Sequence, residues 1–351
     1  MSTSGGSLDY DLDITHPQVS PNGDIDYGAM KFPRDSNPNG IAPVLQSDAQ
    51  DPGGQWLRLA VARGAYTKAQ GGNANQNDRC EIRDPKIALG TPVVYSFDLR
   101  AERGFPVVDA RCVCAQIKAP YYDLDNGSPL FALRIDRGRY VATIEHLYEA
   151  KDAPIVDGSE QSIYLSAPGA GGCASPAVRA FDHHVFGNDR ADFKELQVRA
   201  LLATDAKGLQ AHLEPEFVSC TTGVRVIQES PLPEDIHEWW RFRIEVAPTQ
   251  EKDADGILRL YVGKPGDAAR LVATAYGELG HAGDADPAIN TGPAPGEGMQ
   301  YFKLGPYRDK WNVWGAGEAA IHVRNVQRRA WQQGAALRMA ANAEDVNRSV
   351  T

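Results

Sequence analysis

The chain has 351 residues, 42% of them hydrophobic and 23% charged, with a net charge of −10. That size allows one large β domain or two ordinary ones of globular type. No apolar run approaches the roughly 18 residues needed to span a bilayer, and the acidic balance argues against a nucleic-acid partner. No membrane partner is expected, and the sequence leaves the oligomeric state open.

Residues 1–50 are rich in Gly, Pro, Asn, Ser and Asp and read as a partly irregular N-terminal arm. Met1–Tyr10 has neither a basic n-region nor an apolar core and does not read as a signal peptide. From Trp56 the pattern changes to short strands: 56–61, then a polar loop, a strand at Arg79, and 91–100. Residues 112–118 follow, and a hairpin over 131–135 and 140–145 turns at 136–139. Residues 150–190 read as irregular, and strand signals resume at 239–246, 257–262 and 271–276. A long Gly/Pro/Ala/Asp loop, 280–298, precedes a strand at Tyr301, and 319–328 reads as the last strand. The tail, 331–351, is Ala-rich and reads as helical or disordered. Many short strands with Gly/Pro turns predict an all-β sandwich or jelly roll over 51–330, with a concave face for an extended polymer.

Five cysteines stand at 80, 112, 114, 173 and 220. The odd count precludes a complete internal disulfide set, and the simplest reading is small buried thiols. No zinc-type Cys/His spacing occurs, and Asp123–Gly127 lacks the full ligand spacing of a calcium loop, so no metal is expected.

Three stretches carry the chemistry. They are Arg79-Cys80-Glu81-Ile82-Arg83, Gln116-Ile117-Lys118, and Tyr301-Phe302-Lys303-Leu304-Gly305-Pro306-Tyr307-Arg308. Residues two apart on a strand share a face. Arg79, Glu81 and Arg83 therefore point one way, as do Gln116 and Lys118, and as do Tyr301, Lys303 and Tyr307. Cys80, Ile82, Ile117, Phe302 and Leu304 take the reverse faces and suit a core. If the three strands are neighbours, one sheet face gathers cations, an amide and phenols against an acidic background. Taken singly, each stretch also reads as an ordinary strand: an ion-pair ladder at 79–83, a solvated face at 116–118, a half-buried aromatic strand at 301–307.

In this order along the chain, the three stretches resemble the signatures of the jelly-roll polysaccharide lyases. That group includes alginate lyases, glucuronan lyases and the heparin lyase I type. The stretch Ser128-Pro129-Leu130-Phe131-Ala132-Leu133 is similar to the heparin lyase I group. One position departs, because Lys118 stands where the family has histidine.

The resemblance implies β-elimination beside a uronic acid, on an anionic polysaccharide substrate, by a carbon–oxygen lyase that needs no cofactor. Arg79 and Gln116 would neutralise the uronate carboxylate, Tyr307 would act as acid and base, and Lys118 would be base or third neutraliser. Arg83, Glu81, Lys303, Tyr301 and Arg308 would bind substrate, with Glu81 orienting Arg79 or Arg83. Lys303 and Arg308 would flank Tyr307 and favour its phenolate. His183 and His184 are alternative bases. Trp239, Trp240, Trp311 and Trp314 are candidates for stacking on sugars, the first pair reading rather as packing. A polymer substrate implies work outside the cytoplasm, in the periplasm or beyond. A binding module that kept the groove without its base is the alternative. A glycoside hydrolase ranks last, because no same-face acidic pair occurs in a strand.

Overall fold

The computed structural model describes residues 8–33, 41–48, 54–61, 78–108, 111–118, 129–149, 185–186, 195–207, 224–249, 256–277, 279, 298–308 and 317–332. Its strands are β1 (Tyr10–Asp11), β2 (Gln18–Val19), β3 (Ile25–Tyr27), β4 (Met30–Phe32), β5 (Val44–Ser47), β6 (Gln55–Val61) and β7 (Asp78–Arg79). They continue as β8 (Ile82–Arg83), β9 (Ile87–Ala88), β10 (Val93–Ala101), β11 (Arg111–Lys118), β12 (Pro129–Asp136), β13 (Arg139–Glu149) and β14 (Val185–Phe186). The last are β15 (Glu195–Ala203), β16 (Val224–Gln228), β17 (Trp240–Ala247), β18 (Gly256–Gly263), β19 (Arg270–Gly277), β20 (Met299–Arg308) and β21 (Ala319–Ala330).

These strands form two antiparallel sheets, a β-sandwich of jelly-roll type. The first sheet runs β16-β19-β18-β17-β10-β21-β6-β5, with β1 also on β21. The second runs β14-β15-β13-β12-β11-β20-β8-β4-β3-β2, with β7 and β9 also on β20. The core lies between them and follows directly from the period-2 pattern. Val93, Tyr95, Phe97 and Leu99 of β10 face Phe302 and Leu304 of β20 and Ala115 and Ile117 of β11. Phe302 stacks on Tyr95 with ring centres 4.7 Å apart and lies 5.5 Å from Phe97, which stacks on Phe242 at 5.6 Å. Tyr140 meets Phe242 edge-on at 5.3 Å. This aromatic file anchors β20 to the opposite sheet, so the other face of β20 is free to carry polar side chains.

The expected strands from Trp56 onward are present within a residue or two of their predicted ends, with two exceptions: the strand expected at 140–145 runs on to Glu149, and the Arg79 strand is interrupted. The Arg79 strand is broken into β7 and β8 at Cys80–Glu81. The 136–139 turn is tight, with Arg137 and Gly138 both at positive φ (49° and 74°), as a two-residue hairpin of the twisted sheet requires. The N-terminal arm contains short strands that composition does not reveal. Its residues 10–32 form β1 to β4, which pair with β21 on one sheet and β8 on the other. Residues 195–203 and 224–228, not singled out in the sequence, are also strands. Cys80, Cys112 and Cys114 are free buried thiols as expected, and burial pushes the Cys80 thiol up to about 12. Cys173, Cys220, Asp123–Gly127 and nearly all of the tail lie outside the described residues.

Candidate functional site

The second sheet brings the three polar stretches side by side, in the order β8-β20-β11. The register is Arg79↔Tyr307 and Arg83↔Lys303 on one edge of β20. On the other edge it is Gln116↔Lys303 and Lys118↔Tyr301. Directly opposed residues share a face. Arg79, Arg83, Gln116, Lys118, Tyr301, Lys303 and Tyr307 therefore stand on the face away from the core.

A β-bulge makes this parity possible. The register shifts between Val113 and Ala115, and Cys114 and Ala115 both join the core. Between these pairs β11 advances two residues against three of β20 and one of β12, and strict alternation through the stretch would instead turn Gln116 and Lys118 inward and Ile117 outward. With the bulge, Val113 lies opposite Tyr307 and Gln116 opposite Lys303 on the same face.

Gly305 sets how closely the first and third stretches approach. It sits at φ +143°, opposite the break in the Arg79 strand, and a Cβ there would lie 2.0 Å from the Cys80 carbonyl oxygen and 2.8 Å from the Glu81 Cα. The Cys80 N–H donates to the Pro306 carbonyl at 2.9 Å, which holds the break against β20. The Arg79 guanidinium lies 4.8 Å from the ring centre of Tyr307. That is cation–π range, and it places a fixed positive charge beside the phenol.

Gln116 Nε2 donates a short hydrogen bond to Glu81 Oε1. One amide hydrogen is thus committed, which fixes the rotamer and leaves the second for a ligand. The break in the strand sets the Glu81 side chain, 4% exposed, against β11, where it holds the Gln116 amide.

Asp84 closes the site from behind. Its N–H donates to the Phe302 carbonyl at 3.0 Å, and the Phe302 N–H donates to Asp84 Oδ1 at 2.5 Å. Oδ2 accepts from Arg328 Nη1 of β21 at 2.6 Å and from the Tyr10 hydroxyl at 3.4 Å. Arg328 also donates to the carbonyls of Leu8 and Pro85, at 2.8 and 3.1 Å. Asp84 therefore ties β20, the opposite sheet and the N-terminal arm together. Burial pushes its carboxyl up to about 6, against the pull of Arg328 and the Phe302 N–H.

Two expected substrate contacts are corrected. Arg308 is fully buried, opposite Cys112 on the core-facing parity, and its Nη1 donates to the Gly317 carbonyl at 3.1 Å. It follows Tyr307 directly, so it faces the other way. The cation at Tyr307 is Arg79 instead. Tyr301 keeps the polar face but is also fully buried, with the ammonium groups of Lys86 and Lys303 each 5.5 Å from its ring centre. It is a platform for those lysines. Lys118, Gln116 and Lys303 are largely buried, and Arg79, Arg83 and Tyr307 are partly exposed.

His183 and His184 lie outside the described residues, as do Trp311 and Trp314. Trp240 begins β17 of the other sheet and Trp239 precedes it: Arg324 lies 4.2 Å from the Trp239 ring centre and Lys264 3.8 Å from that of Trp240. Sequence reasoning passed over Asp84, Lys86, Lys31 and Arg134. Lys31 lies opposite Arg83, and Arg134 lies opposite Val113 and bonds Thr143. Both are single polar residues between apolar ones, Met30-Lys31-Phe32 and Leu133-Arg134-Ile135, which is the signal that could have found them.

No family model and no curated protein matches the chain. Solved structures similar to it include a PL-14 alginate lyase from Aplysia kurodai, at 10% identity and a TM-score of 0.40 over 82% of this chain and 87% of that one. An alginate lyase from Corynebacterium sp. gives 11% identity and 0.39 over 91% and 92%. One from Pseudomonas aeruginosa gives 13% and 0.38 over 92% and 99%. At such identities and scores, the reading of function rests on the residues of the polar face.

Proposed function

We propose that this chain is a polysaccharide lyase that cleaves a uronate-containing polymer by β-elimination. The observation that carries the reading is the register across β8, β20 and β11, which sets Arg79 against Tyr307 and Gln116 against Lys303 on one face. The stretches that suggested this chemistry separately are neighbours in space.

The proton at C5 of a uronate is only weakly acidic while the adjacent carboxylate keeps its full charge. Arg79 and the uncommitted hydrogen of Gln116 neutralise that carboxylate, so electron density can spread into it as the proton leaves. Tyr307, beside the Arg79 guanidinium, takes the C5 proton. The C5 electron pair forms the C4–C5 double bond, the C4–O4 bond breaks, and the leaving oxygen collects a proton from the phenol. Lys118, opposite Tyr301 at the family's histidine position, is a second base or a third neutraliser. The chemistry needs no redox cofactor. A substrate of this size places the work outside the cytoplasm.

The test is ultraviolet absorbance during incubation with alginate, glucuronan, heparin, heparan sulfate and pectate, since an unsaturated uronate absorbs. A rise with one polymer, abolished by Tyr307→Phe in a protein that still folds, is the expected result. Full activity in that variant would remove Tyr307 from the mechanism. Binding without any rise would favour the non-catalytic module, with Lys118 as its motive.

A further inference from the structure

The polar face carries a straight row of side chains that starts at Gln116 and runs past the residues of the elimination step to Lys31. Lys31↔Arg83, Arg83↔Lys303 and Lys303↔Gln116 are opposed pairs on four adjacent strands, β4, β8, β20 and β11. Like charges directly opposite one another destabilise a sheet. Three cations stand abreast here; Lys303 has partners within the protein, and Arg83 and Lys31 are the two nearest solvent.

The row has an open end. Gln116 and Lys303 are 5% and 8% exposed, Arg83 is intermediate, and the Lys31 side chain is 44% exposed. The guanidinium of Arg83 has no acidic partner among the described residues. Lys31 has two, and both are loose: Nζ is 3.6 Å from Asp24 Oδ2 and 3.9 Å from Asp26 Oδ1. Asp26 lies directly opposite Lys31 on β3 and sets a carboxylate beyond the cations. A carboxylate at that distance occupies the lysine without binding it tightly, and a ligand carboxylate can take its place.

We propose that the N-terminal hairpin β3–β4 lengthens the groove by one anion position, centred on Lys31, which takes a carboxylate of the polyuronate chain beyond the reacting residue. This rests on the lyase reading for the direction of the chain. Adjacent strands are about 4.8 Å apart, so Lys31 stands about 10 Å from Lys303 and about 14 Å from Gln116. That span covers a few sugar residues, so only chains longer than the shortest oligomers reach it.

The experiment compares Lys31→Ala and Asp26→Asn in the full chain, with thermal melting to show that both fold. Affinity for alginate and for alginate oligomers of graded length is measured by calorimetry at low salt, and KM and kcat by ultraviolet absorbance. Lys31→Ala is expected to weaken binding and raise KM roughly two- to fivefold for long chains, the range of one partly exposed charge pair. It leaves the shortest oligomers and kcat unchanged. Asp26→Asn is expected to act in the opposite direction and tighten binding, because it removes the competing carboxylate. If Lys31 serves only to brace the hairpin, both variants weaken binding alike or neither changes it, and the proposal falls. A wild-type protein that binds no polyuronate also overturns it. A wild type that binds but never yields an unsaturated product defeats the lyase reading alone, and the two variants still decide the Lys31 position by affinity.

Discussion

Replacing Arg328 with methionine tests how the two sheets are locked behind the polar face. The side chains of Arg328 and Asp84 are 2% and 0% exposed, and Nη1 lies 2.6 Å from Oδ2. Removing one member of a buried pair leaves the other charge unpaired and costs about 3–5 kcal/mol. The bonds to the Leu8 and Pro85 carbonyls are also lost, at about 1 kcal/mol each. The two contributions separate with pH. The Asp84 carboxyl already sits at about 6 in the fold against 3.8 when exposed, because burial outweighs Arg328, so without Arg328 it moves higher. A carboxyl raised by folding adds stability that is complete below its unfolded pKa and is lost as pH rises through its folded value. The variant therefore loses stability over a wider span of pH, extending above 6, than the wild type does. Below about pH 4 Asp84 is protonated in both proteins, so the deficit shrinks to the carbonyl bonds. Urea unfolding at pH 4 and pH 8, with unchanged slope, measures both. A deficit equal at the two pH values would refute the electrostatic account of the clamp.

Gly305→Ala should separate the first and third stretches, since the new Cβ meets the Cys80 carbonyl and the position lies at positive φ. The strained backbone alone costs about 1–3 kcal/mol, and turnover should fall more than binding as Arg79 moves off Tyr307; a variant with wild-type kcat would show that the close approach has no role. Lys118→Ala should lower kcat by about 10²–10⁴ if Lys118 moves a proton. Lys118→His should restore part of it with a pH optimum nearer the imidazole range, and an unchanged rate in Lys118→Ala would assign the base elsewhere.

The period of two made the core-facing residues of β10 and β20 readable one strand at a time. It also made each polar face readable. What it did not contain was adjacency, because Arg79 and Tyr307 meet only through backbone pairing between distant parts of the chain. The bulge at Cys114–Ala115 was equally hidden, since both residues are small and apolar and either parity fits. The Arg308 assignment was correctable from the sequence itself, because a residue adjacent to Tyr307 on a strand cannot share its face. The short strands of the arm were hidden for a different reason. Composition reports on local preference, whereas β1 to β4 are strands because β21 and β8 offer them open edges.

The pairing of β1 with β21 joins the first described strand to the last. Chains are synthesised from the N-terminus, and domains fold as units. Tyr10 and the Asp84 carboxylate must therefore wait, solvated, until Arg328 emerges. So must β6 and β10, whose shared neighbour is also β21. The sandwich can close only once β21 has been made, and a chain cut short before residue 319 would expose two long apolar strand edges to any chaperone or protease that met it.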